Sequence, residues 1–438
     1  MKSIVIVWNS IFDHAGSVVR DICQNPCFEA EGRFDLALSN EQLAGFIRDF
    51  YPFSDEEAFK AERKIAGLCN PNYNNRISIL FLDCKTERKI WLAAKGKYMY
   101  ESVLDLKMSL RRKYGSLLEP GDDLDGHYND NTVHMSDDEV EYAHDLPVCL
   151  DLILDHAPRT DDGCIDLDAC MAKHTNRYAC LEGTREKAWL AGGQMMFKSA
   201  LPGTWEVEGQ LLSSLIAKKV HLRSAKARYE AAVLDGRKGV VTTSFIPEGC
   251  NFFSMRDIID PERKMSNRDL VHSNVIPCLV EAVERSFGGA TNIEDDLRAL
   301  FRFDACTLQA DRQPNNLGIV VPDEGGFPYL VSFDDANVFF TYDVESVRRF
   351  KSNNECVAEL VRANSITCLL DSECMDPFED KRSLVSRTEG CEALVEMIAN
   401  SVELWIEESE SLSGFKYCDE FRDAAISSYR WLAGGQDD

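Results

Sequence analysis

Between Trp189 and Phe245 the hydrophobic period changes twice, so neither an all-helical nor an all-β chain is expected there. Trp189 to Lys198 reads as a hairpin turning on Gly192-Gly193, because glycine takes the positive φ that tight turns need. Val207 to Val220 has helical spacing. Tyr229 to Phe245 reads as two strands joined at Asp235-Gly236, a strong hairpin signal. Beyond residue 268 helical patterns dominate: Asn267 to Ser286, Ile293 to Leu308, and several between Val344 and Leu432. A strand pair, Leu317 to Val321 and Tyr329 to Phe333, is set among them. From about residue 178 the chain therefore has an α+β outline: a small β-rich lobe to about 250, then a mostly helical lobe over 251–438.

Upstream, strand and helix signals alternate. Ile4 to Trp8 and Phe34 to Leu38 read as strands, and Ala15 to Cys23, Glu41 to Tyr51, Asp55 to Leu68 and Glu101 to Tyr114 as helices. The run Ile77 to Leu82, with Asp83 at its C-terminal end, reads as a buried parallel strand. This is an α/β pattern, in which ligands tend to sit beyond strand C-termini. Glu119 to Asp130 is a polar loop, and Ser136 with Glu139 has capping-box spacing ahead of a helix from Asp137 to about His144. The polar stretch Pro158 to Asp168 is the expected linker, giving two domains, 1–158 and 159–438.

The length of 438 residues agrees with two or three domains. A net charge of -26 disfavours broad binding to nucleic acid or anionic membrane. The sixteen cysteines are scattered without a CxxC pair, which points to reduced, mostly buried thiols and a cytoplasmic protein. Ser3 to Phe12 is apolar, but Asp13 and His14 end it and no cleavage pattern follows, so a first strand is expected, not a signal peptide. No uncharged stretch approaches the roughly 18 to 20 residues that span a bilayer.

The strongest chemical signal is Asp311-Arg312-Gln313-Pro314-Asn315-Asn316 followed by Tyr329-Leu330-Val331-Ser332-Phe333-Asp334-Asp335. Phosphoryl transfer needs a carboxylate to orient or deprotonate the attacking hydroxyl and oxygen ligands to hold magnesium against phosphates. Asp311 supplies the base, Asn316 and Asp334 the metal ligands, with Asp335 an adjacent alternative. A bare polar turn is the competing account, and it leaves unexplained why Asp, Arg and Asn gather inside an apolar frame.

In this order the motifs resemble the HipA-like kinases, a branch of the protein-kinase-like fold. The family's catalytic loop runs approximately D-R-H-x-x-N, and Gln313 stands here where His is usual; Phe333-Asp334 matches its metal aspartate. The resemblance extends to Gly183-Thr184-Arg185-Glu186-Lys187 as the loop covering the nucleotide and to Lys198 as the lysine of the α/β-phosphates. It makes Gly183, Thr184, Arg185 and Lys187 phosphate contacts, and Glu208, or Glu206 beside it, the carboxylate that pairs with Lys198. It places adenine on the backbone near Ser244, Phe245 and Ile246. What the resemblance implies is a two-lobed kinase domain, with ATP and Mg2+ as cofactors and a protein serine or threonine hydroxyl as acceptor. Members include toxins of toxin–antitoxin pairs, so a cognate antitoxin or regulatory protein is an expected partner. AMP transfer, a small-molecule or lipid kinase of the same fold, and a nucleotide-binding pseudokinase scaffold stay open.

The first domain gives weaker signals. His127, His134 and His144 with Asp137 and Glu141 form a possible metal or acid–base cluster, with His134 the position to test, against the plainer account of a capped helix after an acidic loop. Asp83 at a strand end is a further candidate. The basic segment Lys107 to Lys113 reads as a solvated helix face, with a nucleotide or partner contact as the alternative.

Overall fold

A computed structural model of the chain describes residues 1–51, 55–85, 88–93, 96–118, 128–171, 178–179, 185–222, 225–247, 249–262, 275–288, 292–307, 309, 312, 314–323, 325–334, 338 and 391–433. Its contacts gather into two compact units. One holds Met1–Asp161, Ile165–Lys198 and Ala232–Arg237; the other holds Asp162–Cys164, Ser199–Ala231 and Lys238–Asp438.

The first unit runs β1 (Lys2–Val7), α1 (Ala15–Gln24), β2 (Phe28–Ala37), α2 (Asn40–Phe50), α3 (Asp55–Leu68) and β3 (Arg76–Cys84). A hairpin follows, β4 (Lys89–Leu92) and β5 (Lys97–Tyr100), then α4 (Glu101–Gly115), β6 (Val133–Met135) and α5 (Glu139–His156). The main sheet has the order β2-β3-β1-β6, and every neighbouring pair is antiparallel. That is a split β-α-β topology.

The expected parallel strand at Ile77 to Leu82 is thus corrected: in β3, Ile79 lies opposite Ile6 of β1 and Phe34 of β2, both antiparallel. Its unbroken apolar run has another cause. On one face Val5, Val7, Leu80 and Leu82 pack with Val18 and Ile22 of α1 and Val103, Leu106 and Leu110 of α4, while α5 covers β1 and β2 on the other. A strand covered on both faces reads as continuously apolar whatever its direction. The helix expected over Asp137 to His144 also differs. Asp138 caps it, accepting from the Glu141 N–H at 2.8 Å, and it continues through Pro147 to His156 although proline costs one intrahelical hydrogen bond.

The expected linker contains structure. Cys164 and Ile165 are fully buried, and β7 (Ile165–Asp166) pairs in parallel with Ala232 and Val233. After α6 (Leu167–Cys170) come β8 (Tyr178–Ala179), β9 (Lys187–Leu190) and β10 (Met195–Ser199). Strands β9 and β10 form the antiparallel hairpin expected from sequence. The Asp235-Gly236 turn has positive φ at both residues, 53° and 69°. Their N–H groups donate to the Asp168 carboxylate at 2.8 and 2.9 Å.

The second unit holds α7 (Glu206–Lys219), β11 (Ala225–Lys226) and parts of β12 (Tyr229–Leu234) and β13 (Arg237–Thr243). It continues with β14 (Cys250–Ser254), α8 (Met255–Ile259), α9 (Val275–Phe287) and α10 (Ile293–Cys306). Then come β15 (Leu317–Pro322), β16 (Tyr329–Ser332), α11 (Cys391–Ser413) and α12 (Asp419–Leu432). Its sheet has the order β11-β16-β15-β14. Leu300 and Phe301 of α10, Ile319, Leu330, Val402 and Phe421 belong to its core. Of the helix expected over Asn267 to Ser286, α9 accounts for the described part from Val275, while residues 267–274 and the helices expected between residues 344 and 390 lie outside the described residues. Among the described residues eleven cysteines are free, and no helix is long and apolar enough to cross a membrane.

Candidate functional site

Within the second unit Arg312, which follows α10 in the chain, is held by a buried ion pair. Asp304, in the last turn of α10, accepts from Arg312 Nε at 2.8 Å and Nη2 at 2.9 Å, and both side chains are wholly inaccessible. The remaining terminal nitrogen, Nη1, donates to the Phe333 carbonyl at 3.1 Å and reaches that of Asn316 at 3.5 Å. The Phe333 N–H also donates to the Asn316 carbonyl, at 3.2 Å. Leu317 pairs with Ser332 in the β15–β16 ladder, so Asn316 and Phe333 continue that register by one step. Asp334 follows with φ 60°, a left-handed conformation that costs a non-glycine residue energy. Its N–H donates to the Tyr229 hydroxyl at 2.9 Å.

The structure thus brings the backbones of Asn316 and Phe333-Asp334 together. An amide oxygen and a carboxylate are the hard donors magnesium takes, so this pair fits the ion expected from sequence. Asp311, Gln313 and Asp335 lie outside the described residues, as do Gly183 and Thr184. Arg312, to which sequence reasoning gave no role, is the group that joins Asp304 to the carbonyls of Asn316 and Phe333.

The segment expected to meet adenine lies beside the same loop. Phe245 stacks on Phe333 with ring centroids 5.3 Å apart and planes at 15°, and Phe252 meets both edge-on at 5.6 and 5.9 Å. The Ser244 hydroxyl accepts from the Ile246 N–H at 3.3 Å, a local turn that shapes the strand exit.

Lys198 is the penultimate residue of β10, buried, in register with Lys187 of β9. Arg185 sits just before β9. Glu208 occupies the first turn of α7. Within its own unit its carboxylate faces Lys238 at 3.8 Å, and Asp162 lies 3.3 Å from the same amine. Burial raises the Glu208 pKa despite the pull of Lys238. Burial also works against the charge on Lys238, but Glu208, Cys164 and Asp162 together hold its pKa above the ordinary value. Glu206 uses one carboxylate oxygen to accept the Leu201 N–H at 3.0 Å.

The first unit holds a second constellation, on β6 and α5. His134 Nε2 lies 3.0 Å from Asp145 Oδ2, and the Ser136 hydroxyl donates to the same oxygen at 2.7 Å. His144 Nδ1 donates to the other carboxylate oxygen at 3.2 Å. Burial pushes the His134 pKa down to about 4 against the pull of Asp145, and Lys107 and Arg111 push the same way. The ring is neutral at physiological pH, and the neighbouring carboxylate oxygen requires that Nε2 carry the proton. Nδ1 then keeps its lone pair, 3.4 Å from the Tyr51 hydroxyl. Ligand atoms of His134, Glu141 and Asp145 lie within 4.8 Å of one another. The Asp145 oxygens already accept three protons, and Lys107 and Arg111 act on His134, both of which oppose a metal ion there. His127 lies outside the described residues, and Asp83 sits in β3 in register with Lys2 and Glu29.

The expected solvated face at Lys107 to Lys113 is corrected here. Lys107 is buried and donates to the Met135 carbonyl and the Asp137 carboxylate, both at 2.8 Å. Arg111 donates to the Val133 carbonyl at 2.9 Å and Lys113 to Asp21 at 2.6 Å. Lys107 and Arg111 thus anchor β6, a short strand of three residues, whereas Lys113 reaches Asp21 of α1 and, like Arg112, remains exposed as expected.

No family model and no curated protein matches the chain. Among solved structures it is similar to the proinflammatory kinase CtkA of Helicobacter pylori, at 11% identity over 62% of this chain and 95% of that one, with a TM-score of 0.45. It is also similar to HipA of Shewanella oneidensis, solved with HipB and operator DNA, at 11% identity over 80% and 95% with a TM-score of 0.29. A third likeness is to a Borrelia burgdorferi nucleoside-diphosphate kinase solved with vanadate and ADP, at 14% identity over 34% and 85% with a TM-score of 0.23. All three TM-scores lie below 0.5.

Proposed function

We propose that the chain is an ATP- and Mg2+-dependent phosphotransferase acting on a hydroxyl, with protein serine or threonine as the acceptor. Asp311 is the base, Asn316 and Asp334 hold the metal, and Lys198 keeps the phosphate role given to it by the sequence resemblance. Arg185, Lys187 and the Ser244 to Ile246 segment keep the nucleotide roles assigned in the same way. The observation that carries the proposal is the meeting of the Asn316 and Phe333 carbonyls on one buried guanidinium, at and next to the two residues, Asn316 and Asp334, whose side chains carry oxygen donors. Bound magnesium would neutralise phosphate charge during transfer; Asn316 and Asp334 orient it, and Asp311 takes the proton of the attacking hydroxyl. A regulatory protein partner follows from the same sequence resemblance. Incubation with ATP labelled at the γ or the α phosphate tests the proposal: γ label on protein supports it, α label assigns AMP transfer, and neither, with nucleotide still bound, assigns a scaffold.

A further inference from the structure

We propose that Arg312 is a positioning residue for the phosphotransfer reaction, acting through Asn316 and Asp334, with Asp304 as its anchor; this rests on the function proposed above. A wholly buried ion pair is a poor stabiliser, because desolvation offsets most of its attraction and apolar residues of similar volume often do as well. What an apolar pair cannot do is distribute hydrogen bonds. The guanidinium is a rigid fork with five N–H donors. Two of its nitrogens are committed to Asp304, which fixes its plane against α10. The third donates to the Phe333 carbonyl and approaches that of Asn316.

Those two carbonyls belong to the amide ligand itself and to the residue preceding the carboxylate ligand. Arg312 also directly follows the proposed base, Asp311, in the chain. One buried cation therefore meets the backbone of one proposed ligand, Asn316, and the carbonyl that precedes the other, Asp334. From the other side, Phe333 is held through its ring by Phe245 and Phe252, and Asp334 through its N–H by Tyr229. The left-handed backbone at Asp334 persists only where its surroundings impose it. Arg312 supplies the constraint on the carbonyl immediately before it.

Hydrogen exchange and kinetics on the full chain test this. Arg312→Lys keeps the charge and loses the fork. Amides of residues 315–317 and 333–334 are expected to exchange faster, while α11 and α12 stay protected. The Mg2+ concentration giving half-maximal turnover should rise roughly 10- to 100-fold, the usual effect of losing a group that orients a ligand, with the KM for ATP at saturating Mg2+ changed less than about 3-fold. Unchanged exchange in the two segments, or faster exchange spread evenly over the unit, would overturn the proposal. If Arg312→Lys does not fold, Asp304→Glu, which retains both charges and shifts the fork by one methylene, is judged by the same criteria. Asp311→Asn separates the two levels. Full turnover in that variant removes the proposed phosphotransfer chemistry, whereas the exchange pattern of Arg312→Lys decides the brace with or without turnover.

Discussion

The Nε2 atom of His134 lies 3.0 Å from Asp145 Oδ2 in an interior where the imidazole is 4% exposed. Burial lowers the His134 pKa from 6.5 to about 4. Between those values the unfolded chain binds a proton that the folded chain does not, so the contribution is complete above 6.5 and is lost as pH falls towards 4. Its full size is roughly 3 kcal/mol. Asp145, whose pKa burial raises, acts in the opposite sense at the acid end and reduces the loss. Urea midpoints measured from pH 7.5 to 5 should fall for the natural chain and fall much less for His134→Gln. Parallel curves would show that His134 is not the buried neutral group described.

Lys107 ties α4 to β6 through Met135 and Asp137. In Lys107→Met the stem is retained, and the wholly buried Asp137 carboxylate loses one cation while keeping Lys97 at 3.1 Å. Breaking one side of a buried pair costs about 3 to 5 kcal/mol, and the surviving lysine sets the expectation near the lower figure. Exposed Arg112→Met, one turn on, should change stability by less than about 0.5 kcal/mol. Equal unfolding free energies for the two variants would return Lys107 to an ordinary helix surface.

What could be read in the sequence was local. The Asp235-Gly236 turn, the helix from Glu206 and the β15–β16 pair each announce themselves within a few residues, through positive-φ turn chemistry or a hydrophobic period. What could not be read depends on partners far along the chain. Strand β3 looks parallel because helices cover both faces of its sheet, and its direction is set by β1 and β2, more than thirty residues away. Pro147 hides the second half of α5. The KMSLRRK segment looks solvated until Asp137 and Asp21 are placed beside it. Arg312 is the clearest case: an arginine in a polar loop suggests solvent or phosphate, and only the fold shows Asp304 already waiting inside the core. Its spacing of eight residues from the last turn of a helix was the one available signal.

Gly318 in β15 lies opposite Ser254 and Val331. A methyl group there would overlap the Phe252 ring and approach the Phe253 carbonyl to 2.9 Å. Phe252 supports Phe333, so the strain would pass to the residue before Asp334. Gly318→Ala should destabilise by about 1 to 3 kcal/mol, the usual cost of overpacking. Adding Phe252→Leu should recover part of it. Stability unchanged by Gly318→Ala would mean that the aromatic trio is not close-packed around that strand.

Asp311 and Asp334 carry different burdens in the proposed reaction, and their variants should fail differently. Asp311 takes a proton as the acceptor hydroxyl attacks, a step that begins only after nucleotide is bound. Asp311→Ala should therefore lower kcat by at least ~10²-fold while nucleotide still binds. Asp334 holds metal against the phosphates before any bond changes, so Asp334→Ala should abolish the Mg2+-dependent part of ATP binding as well as turnover. Calorimetric titration of nucleotide with and without Mg2+, beside a turnover assay, separates the two. Turnover unaffected in both variants would refute the assignment. A loss of turnover in both with Mg2+-dependent binding intact would place the metal on other oxygens and leave Asp334 as a structural residue, held at φ 60° by Tyr229 for the sake of the loop.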